Sequence, residues 1–210
     1  IETVKRESFA RLPGVRALVT LGPDGLNANH IPFLFEPDAG GEGHGRLIGH
    51  VARNNGAWRD AMAAAEMDTE SLVIFQGPSA YVSPNWYATK RETHRVVPTY
   101  NYAVVHVYGR VAVHEDAKWL RGVVGKLTKR FEAAQPIPWK MGDAPGDYMA
   151  EQLANIVGIE IPIARMAGKW KVSQNRVPAD RLGAAAGLRA TGDPDAAAIA
   201  DLVLAALRGD

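Results

Sequence analysis

The chain has 210 residues, of which 47% are hydrophobic, so it can bury a sizeable core and global disorder is excluded. The net charge of +1 argues against a protein dedicated to nucleic-acid phosphates. The absence of cysteine excludes disulfides, thiolate metal sites and cysteine nucleophiles. No apolar run approaches the length of a bilayer span and no signal-peptide pattern appears, so we expect a cytoplasmic protein.

The first part of the chain predicts short antiparallel strands. Ala17 to Leu21 is followed by a Pro-Asp-Gly turn, which favours a hairpin to a strand at Ala28 to Phe35. A third strand is predicted at Leu47 to Val51, and a helix begins within the segment ARNNGAWRDAMAAA that follows. Leu72 to Phe75 has the pattern of a buried strand. The segment after it contains three prolines, which exclude one regular element there.

The second part adds helices to the strands. Alternation predicts a strand at Tyr102 to Val113, and helical spacing of apolar residues predicts a helix in DAKWLRGVVGKLTKRFEA. A short helix is predicted in DYMAEQLANIV, followed by two strands that turn at Ala167-Gly168. The tail TGDPDAAAIADLVLAALRGD has the capping residues and apolar face of a C-terminal helix. Antiparallel strands with inserted helices favour an α+β fold built on a β-barrel.

The predicted strand Tyr102 to Val113 is the first candidate for function. One face carries large amphipathic side chains, and the opposite face carries the small apolar residues Ala103, Val105 and Val107. The first face suits a subunit interface or a ligand wall. A partly solvated sheet face explains the same pattern equally well.

The segment GHVARNNGAW is the second candidate. A helix start leaves backbone N–H groups free for a phosphate, and Arg53 adds a bidentate charge. Asn54 and Asn55 are suited to capping the helix or to binding a ligand; ordinary capping beside a surface arginine is the alternative. His30 and His50 fall near the ends of predicted strands, where we expect a core or ligand-facing role rather than a metal site.

The segment GKWKVSQNR is the third candidate. Alternation places Lys169, Lys171, Ser173 and Asn175 on one side of a strand and Trp170, Val172 and Gln174 on the other. Positive charge beside an aromatic ring and amides suits an anionic planar ligand. A solvated edge strand protected by lysines is the alternative.

Five motifs, taken in order, resemble the PaiB family of FMN-binding negative transcriptional regulators: NHIPFLFE, GHVARNN, LVIFQGPSAYVSPNWY, VVPTYNYAVVHVYG and KWKVSQNR. The resemblance implies an α+β fold: an antiparallel, Greek-key-like FMN-binding split β-barrel with peripheral helices. It also implies FMN as cofactor and a homodimer that holds the flavin at the subunit interface. We expect a flavin-binding domain over residues 1–178 and a C-terminal helical extension over residues 179–210, packed on the same domain.

The resemblance assigns roles to residues in these motifs. The expected cofactor-binding residues are His30, His50, Arg53, Asn54, Trp86, Thr99, Asn101, Tyr102, Trp170, Lys171, Gln174 and Arg176. The Arg53–Asn54 region is expected to bind the phosphate, with Lys171 or Arg176. Asn101 and Gln174, assisted by Thr99, are expected to hydrogen-bond the polar edge of the flavin. The expected walls of the ring site are Trp86, Tyr102 and Trp170.

Two other functions stay open at this stage. One is a flavin-dependent oxidoreductase that passes electrons between NAD(P)H and a small acceptor, for which no catalytic residue stands out. The other is a dimeric module that binds haem or no ligand. DNA binding also stays open, although the sequence has no helix-turn-helix signal and no basic recognition helix.

Overall fold

The computed structural model describes residues 14–38 and 43–209 of the chain. Its strands are β1 (Arg16–Gly22), β2 (Gly25–Ile31), β3 (Leu34–Glu36), β4 (Arg46–Ala52), β5 (Ser71–Val82), β6 (Thr99–Gly109), β7 (Ala112–His114), β8 (Ile156–Pro162) and β9 (Arg165–Lys171). Its α-helices are α1 (Ala57–Glu66), α2 (Lys90–Thr93), α3 (Ala117–Glu132), α4 (Gly146–Ala154), α5 (Pro178–Ala190) and α6 (Pro194–Arg208). Short 3₁₀ turns occupy Pro84–Trp86 and Met141–Asp143. Within the described ranges, no helix combines the length and apolar content that crossing a membrane requires.

The strands form two sheets. The order is β2-β1-β5-β6-β9 in the first and β3-β4-β8-β7 in the second. The predicted hairpin is confirmed, because β1 and β2 pair antiparallel from Arg16 opposite Ile31 to Gly22 opposite Gly25. Gly25 has φ of +101°, a conformation that glycine adopts without a steric penalty, so it closes the hairpin.

The chain divides into two compact units, which we describe separately. The larger unit comprises the described residues 14–38, 43–75 and 106–166, and the smaller unit comprises residues 76–105 and 167–209. Strands β5, β6 and β9 contribute residues to both units.

In the larger unit, α3 packs on the second sheet. Ile48 of β4 is buried against Val123 and Leu127 of α3. Trp119 of the same helix covers Gly158 of β8, where an added Cβ would lie 2.2 Å from the indole ring. Only glycine therefore leaves room for this ring at the centre of the sheet.

In the smaller unit, α5 and α6 supply most of the core. Leu188, Ile199 and Val203 are fully buried in one cluster with Val82 and Val172. Helix α6 matches the predicted C-terminal helix. It begins at Pro194 and is capped by Asp193, whose carboxylate accepts a hydrogen bond from Asp195 N at 3.1 Å.

Several predicted boundaries are wrong. The predicted strand Ala28 to Phe35 is two strands, β2 and β3, separated at Pro32, which has no N–H to donate to a ladder. The predicted strand Tyr102 to Val113 is β6, which starts earlier at Thr99 and ends at Gly109, followed by the separate β7. An added Cβ on Gly109 would lie 2.2 Å from Pro162 O, so the backbones are close where β6 ends.

The segment around β9 also differs from the prediction. The turn between β8 and β9 follows Pro162, and Ala167-Gly168 lies inside β9 rather than at a turn. The strand alternation expected through Asn175 ends at Lys171, because Ser173 adopts φ of +61°, outside the range of a strand. Strand β5 continues to Val82, through a segment expected to be irregular.

Candidate functional site

The predicted site residues fall into two groups. His30, His50, Arg53 and Asn54 belong to the larger unit and, together with the adjacent Asn29, form the β2–β4 group. The smaller unit contains the β6–β9 group, whose members are Trp86, Thr99, Asn101, Tyr102, Trp170, Lys171, Gln174 and Arg176.

Arg53 lies in the turn between β4 and α1, and its guanidinium is already engaged. Nε donates to Ala154 O at 2.8 Å, Nη2 donates to Ile156 O at 3.3 Å, and Nη1 pairs with Glu115. These bonds tie the turn to the link between α4 and β8. About 40% of the side chain remains exposed, so a phosphate can approach it in exchange for Glu115.

The asparagines after Arg53 have different environments. Asn54 is exposed, and no hydrogen bond to its side chain occurs among the described residues. Asn55 Oδ1 accepts from Ala57 N, the first residue of α1, at 2.8 Å, although the N-cap residue of the helix is Gly56. Asn55 Nδ2 donates to Asn29 Oδ1 at 2.9 Å, which joins α1 to β2. Asn29 Nδ2 is buried and has no hydrogen-bond partner within the described part of the chain.

His50 lies on β4, opposite Gly158 of β8. His114 of β7 also pairs with Gly158 and stacks on Trp119, with ring centroids 4.0 Å apart. Paired residues of antiparallel strands point to the same side, so His50 lies on the sheet face that Trp119 covers. His50 Nδ1 is buried and has no hydrogen-bond partner among the described residues. His30, by contrast, is exposed on β2.

Burial also sets the charge of His50. It lowers the pKa of the imidazole from its ordinary value of 6.5, so the ring is neutral at pH 7. A neutral ring offers one donor and one acceptor nitrogen, and nothing within the described residues satisfies Nδ1. Within the described residues, no three His, Cys, Asp or Glu side chains are grouped as metal ligands would be.

The unpartnered atoms of the β2–β4 group fit a bound polar ligand. Buried polar atoms are nearly always hydrogen-bonded in folded proteins, and those that are not demand an explanation. His50 Nδ1 and Asn29 Nδ2 are two such atoms, and both belong to the larger unit. FMN carries phosphate and carbonyl oxygens that accept hydrogen bonds, so this group fits that cofactor.

Asn101, the most specific polar residue of the β6–β9 group, is fully buried in β6. Its Nδ2 donates to Ser173 Oγ at 3.0 Å, which holds the segment after β9 against β6. Ser173 is itself 7% exposed and has the positive φ described above. This internal bond uses the amide donor that the sequence assigned to a flavin edge.

Other polar residues of this group also bond within the unit. Lys171 Nζ donates to Thr99 Oγ1, and both side chains are half-buried. Gln174 Oε1 accepts from Val172 N at 2.9 Å, while its Nε2 donates to Trp170 O, so the side chain closes the turn after β9.

The aromatic residues of the group pack in different ways. The Trp86 ring lies against Gly187 of α5, where an added Cβ would sit 2.2 Å from the ring. Trp170 is half-buried against the core of the smaller unit. Lys169 Nζ lies 5.4 Å from the centroid of the Tyr102 ring, a cation–π contact. Arg176 lies over the Tyr87 ring at 4.8 Å, so its charge also faces an aromatic partner.

Sequence reasoning missed three residues that position these groups. Glu115 pairs with Arg53, Asn29 bonds to Asn55, and Ser173 bonds to Asn101. Asn29 could have been recognised as a candidate from the sequence, because it is the first residue of the NHIPFLFE motif. Glu115 and Ser173 become visible only when strand pairing brings distant segments together.

Comparison with known proteins identifies the family. Residues 2–165 match the family described as "Putative FMN-binding domain". The chain belongs to this FMN-binding family. Membership confirms the expected cofactor, FMN, and makes the β2–β4 group part of the matched region.

Relatives of this FMN-binding protein occur in fungi and bacteria. An uncharacterised protein of Emericella nidulans is 34% identical over 203 residues, covering 85% of this chain and 81% of that protein. The protease synthase and sporulation protein PAI 2 of Bacillus subtilis is 30% identical over 176 residues, covering 84% of this chain and 79% of that protein. The second match confirms the resemblance to the PaiB family.

A solved structure supports the fold. The FAD and heme binding protein from Mycobacterium smegmatis superposes with a TM-score of 0.54 at 16% identity, covering 80% of this chain and 71% of that chain. The FMN-binding protein therefore has the predicted α+β split-barrel fold.

Proposed function

We propose that this protein is a homodimeric, FMN-binding negative transcriptional regulator of the PaiB type, working in the cytoplasm. The observation that carries the proposal is the pair of buried, unpartnered atoms, His50 Nδ1 and Asn29 Nδ2, inside the region that matches the FMN-binding family. The PaiB-type relative from Bacillus subtilis, at 30% identity, supports the regulatory part.

The β2–β4 group holds FMN in this proposal. Asn29 and His50 hydrogen-bond the cofactor with atoms that the protein leaves unsatisfied. Arg53 binds its phosphate by giving up the exposed pair with Glu115, which costs little because such pairs contribute less than about 1 kcal/mol. FMN, when bound, supplies a ring that accepts one or two electrons.

Substitutions in the β2–β4 group test the cofactor site. His50→Ala and Asn29→Ala each remove one unsatisfied polar atom, and each is expected to weaken FMN binding at least tenfold in a titration followed by flavin fluorescence. His94→Asn is the matched control, because His94 is an exposed histidine in the other unit. Unchanged affinity in both test variants places FMN elsewhere.

The β6–β9 group remains a prediction with its own test. Asn101 and Gln174 already make hydrogen bonds inside the smaller unit. If they also bind flavin, Gln174→Ala weakens FMN binding while the melting temperature stays close to that of the parent protein. If their role is only structural, the variant melts earlier and its FMN affinity, measured below the transition, is unchanged.

A regulatory role needs a DNA-binding surface, and the C-terminal helices are poor candidates. Helices α5 and α6 form a hairpin across residues 191–193, with Gly192 at φ of +74°. Helix α6, however, carries Asp195 and Asp201 against a single arginine, Arg208, and a recognition helix needs positive charge. DNA contact through a surface other than α6 is therefore the form of regulation that we propose.

Two measurements separate regulator from enzyme. A sequence-dependent gel shift that persists at about 150 mM salt supports the regulator, because nonspecific binding falls steeply with salt. Rapid bleaching of bound flavin by NAD(P)H, without a sequence-dependent gel shift, would instead show that the protein is a flavin-dependent oxidoreductase.

A further inference from the structure

An apolar cavity lies beside the C-terminal half of α3 in the larger unit, and none of the predicted site residues lines it. Its volume is about 550 Å³, within the usual range for small-molecule sites. The lining residues are Gly125, Thr128, Lys129, Glu132, Ala133, Pro138, Trp139, Lys140 and Met141.

The loop after α3 forms one side of the cavity and is held in place by hydrogen bonds. Glu132 Oε2 accepts from Trp139 N at 2.9 Å, which ties the loop back to the end of α3. Met141 lies against the helix where Gly125 has no side chain, since an added Cβ there would sit 3.5 Å from Met141 Sδ. Lys140 N donates to the Asp143 carboxylate at 2.9 Å, and Asp143 N donates to Lys140 O at 2.9 Å, which fixes the far end of the loop.

The wall of the cavity offers a large aromatic surface. Trp139 is 42% exposed and lines the cavity together with residues of the C-terminal half of α3. With Pro138 and Met141 it supplies apolar, polarisable side chains that suit a planar aromatic ring.

The charges of the cavity favour an anion. The lining includes two exposed lysines, Lys129 and Lys140, and no ion pair engages either among residues 14–38 and 43–209. Glu132 is the single carboxylate of the lining, and one of its oxygens already accepts from Trp139 N. The lining therefore carries a net charge of +1 beside apolar walls.

We propose that this cavity binds a small planar aromatic carboxylate, with the ring against Trp139 and Met141 and the carboxylate at Lys129 and Lys140. The proposal does not depend on FMN binding at the β2–β4 group. A ligand that binds one conformation of a protein more tightly shifts the population toward that conformation. A second ligand site would therefore give a regulator a way to respond to a small molecule.

Indole-3-acetate is the probe, and indole-3-acetamide is its neutral counterpart of the same shape. Calorimetry and saturation-transfer NMR on the full chain are expected to show the acid binding at least tenfold more tightly than the amide. The double variant Lys129→Gln/Lys140→Gln is expected to bind both compounds with the weaker affinity. Lys118→Gln, an exposed lysine at the other end of α3, is the matched control and should behave as the parent protein.

Four results would overturn the proposal, three of which concern the ligands and the double variant. Those three are equal binding of acid and amide by the parent protein, undiminished binding of the acid by the double variant, and no binding of either compound at millimolar concentration. Acid binding that weakens as protein concentration rises would also overturn it, because a second copy of the chain then covers the cavity. FMN titration of the double variant is a separate readout, expected to match the parent protein whatever the acid does.

Discussion

Arg53 has the chemistry of a phosphate ligand, yet the structure gives it a structural role as well. Two of its hydrogen bonds end on main-chain carbonyls at the end of α4 and the start of β8, and the third partner is Glu115. Removing the arginine therefore changes both folding and any phosphate contact. A variant of the partner separates the two effects.

Glu115→Gln is expected to tighten FMN binding severalfold, because the guanidinium loses its competing carboxylate and keeps its two carbonyl acceptors. Arg53→Ala is expected to weaken FMN binding at least tenfold and to lower stability by about 1 kcal/mol. Flavin fluorescence titration and urea denaturation measure the two quantities. Arg110→Ala breaks a comparable surface pair with Asp68 and serves as the control. Equal FMN affinity in all variants removes Arg53 from the phosphate site.

His50 makes the stability of the cofactor-free protein depend on pH. Burial lowers its pKa in the folded state, so the unfolded chain, with a pKa near 6.5, takes up the proton first. The stabilising contribution is present above pH 6.5 and is lost as pH falls toward the lowered folded pKa. Urea denaturation at pH 7.5 and 5.5 is therefore expected to show a smaller loss for His50→Gln than for the parent protein. The same loss in both proteins would show that His50 does not titrate differently on folding.

At the residue scale, the sequence identifies polar side chains that could bind a ligand. It does not show which of them already have hydrogen-bond partners within the protein. Asn101 was chosen for the polar edge of the flavin, which stays a prediction, and its amide donor bonds to Ser173, 72 positions away. His50 was chosen by motif, and its unpartnered nitrogen became evident only from the packing of β4 and β8. Contacts between distant segments decide these points, and no local pattern encodes them.

At the element scale, helix α5 depends on a glycine that faces an aromatic ring. An added Cβ on Gly187 would lie 2.2 Å from the Trp86 ring, so the ring or the helix must move. Gly187→Ala is expected to destabilise the protein by about 1–3 kcal/mol through overpacking, despite the better helix propensity of alanine. Thermal or urea unfolding measures the change.

Gly122→Ala is the matched control, because Gly122 lies in α3 with no atom near the position of an added Cβ. It is expected to stabilise the protein by about 0.5–1 kcal/mol through helix propensity alone. If the two variants change stability in the same direction, contact with Trp86 does not constrain α5.

Elements with strong periodicity or capping were predictable, whereas their ends were not. The apolar spacing of α3 and the capped start of α6 were both visible in the sequence. Helix α5 was expected only as part of a C-terminal helical extension over residues 179–210, without bounds of its own, because its alanine- and glycine-rich sequence has a weak apolar pattern. It gains its stability from packing. Strand β9 ends before Ser173, which has a left-handed backbone. The sequence gives no signal of this conformation, because glycine is the residue that usually adopts it.

At the scale of the whole molecule, the proposal requires a homodimer. Sedimentation equilibrium is expected to give twice the chain mass of 22.7 kDa at micromolar concentration. FMN at about 100 times its dissociation constant should add about 2.7 kcal/mol of stability. A monomer with and without FMN would contradict the dimeric part of the proposal and leave cofactor binding to be judged by its own titration.

The central claim is that this chain binds FMN. The most direct measurement is the visible absorbance spectrum of the purified protein, followed by titration of the cofactor-free protein with FMN. We expect a yellow protein, or a cofactor-free protein that quenches flavin fluorescence with saturation at one FMN per chain. A colourless protein that leaves the fluorescence of added FMN unchanged would contradict it.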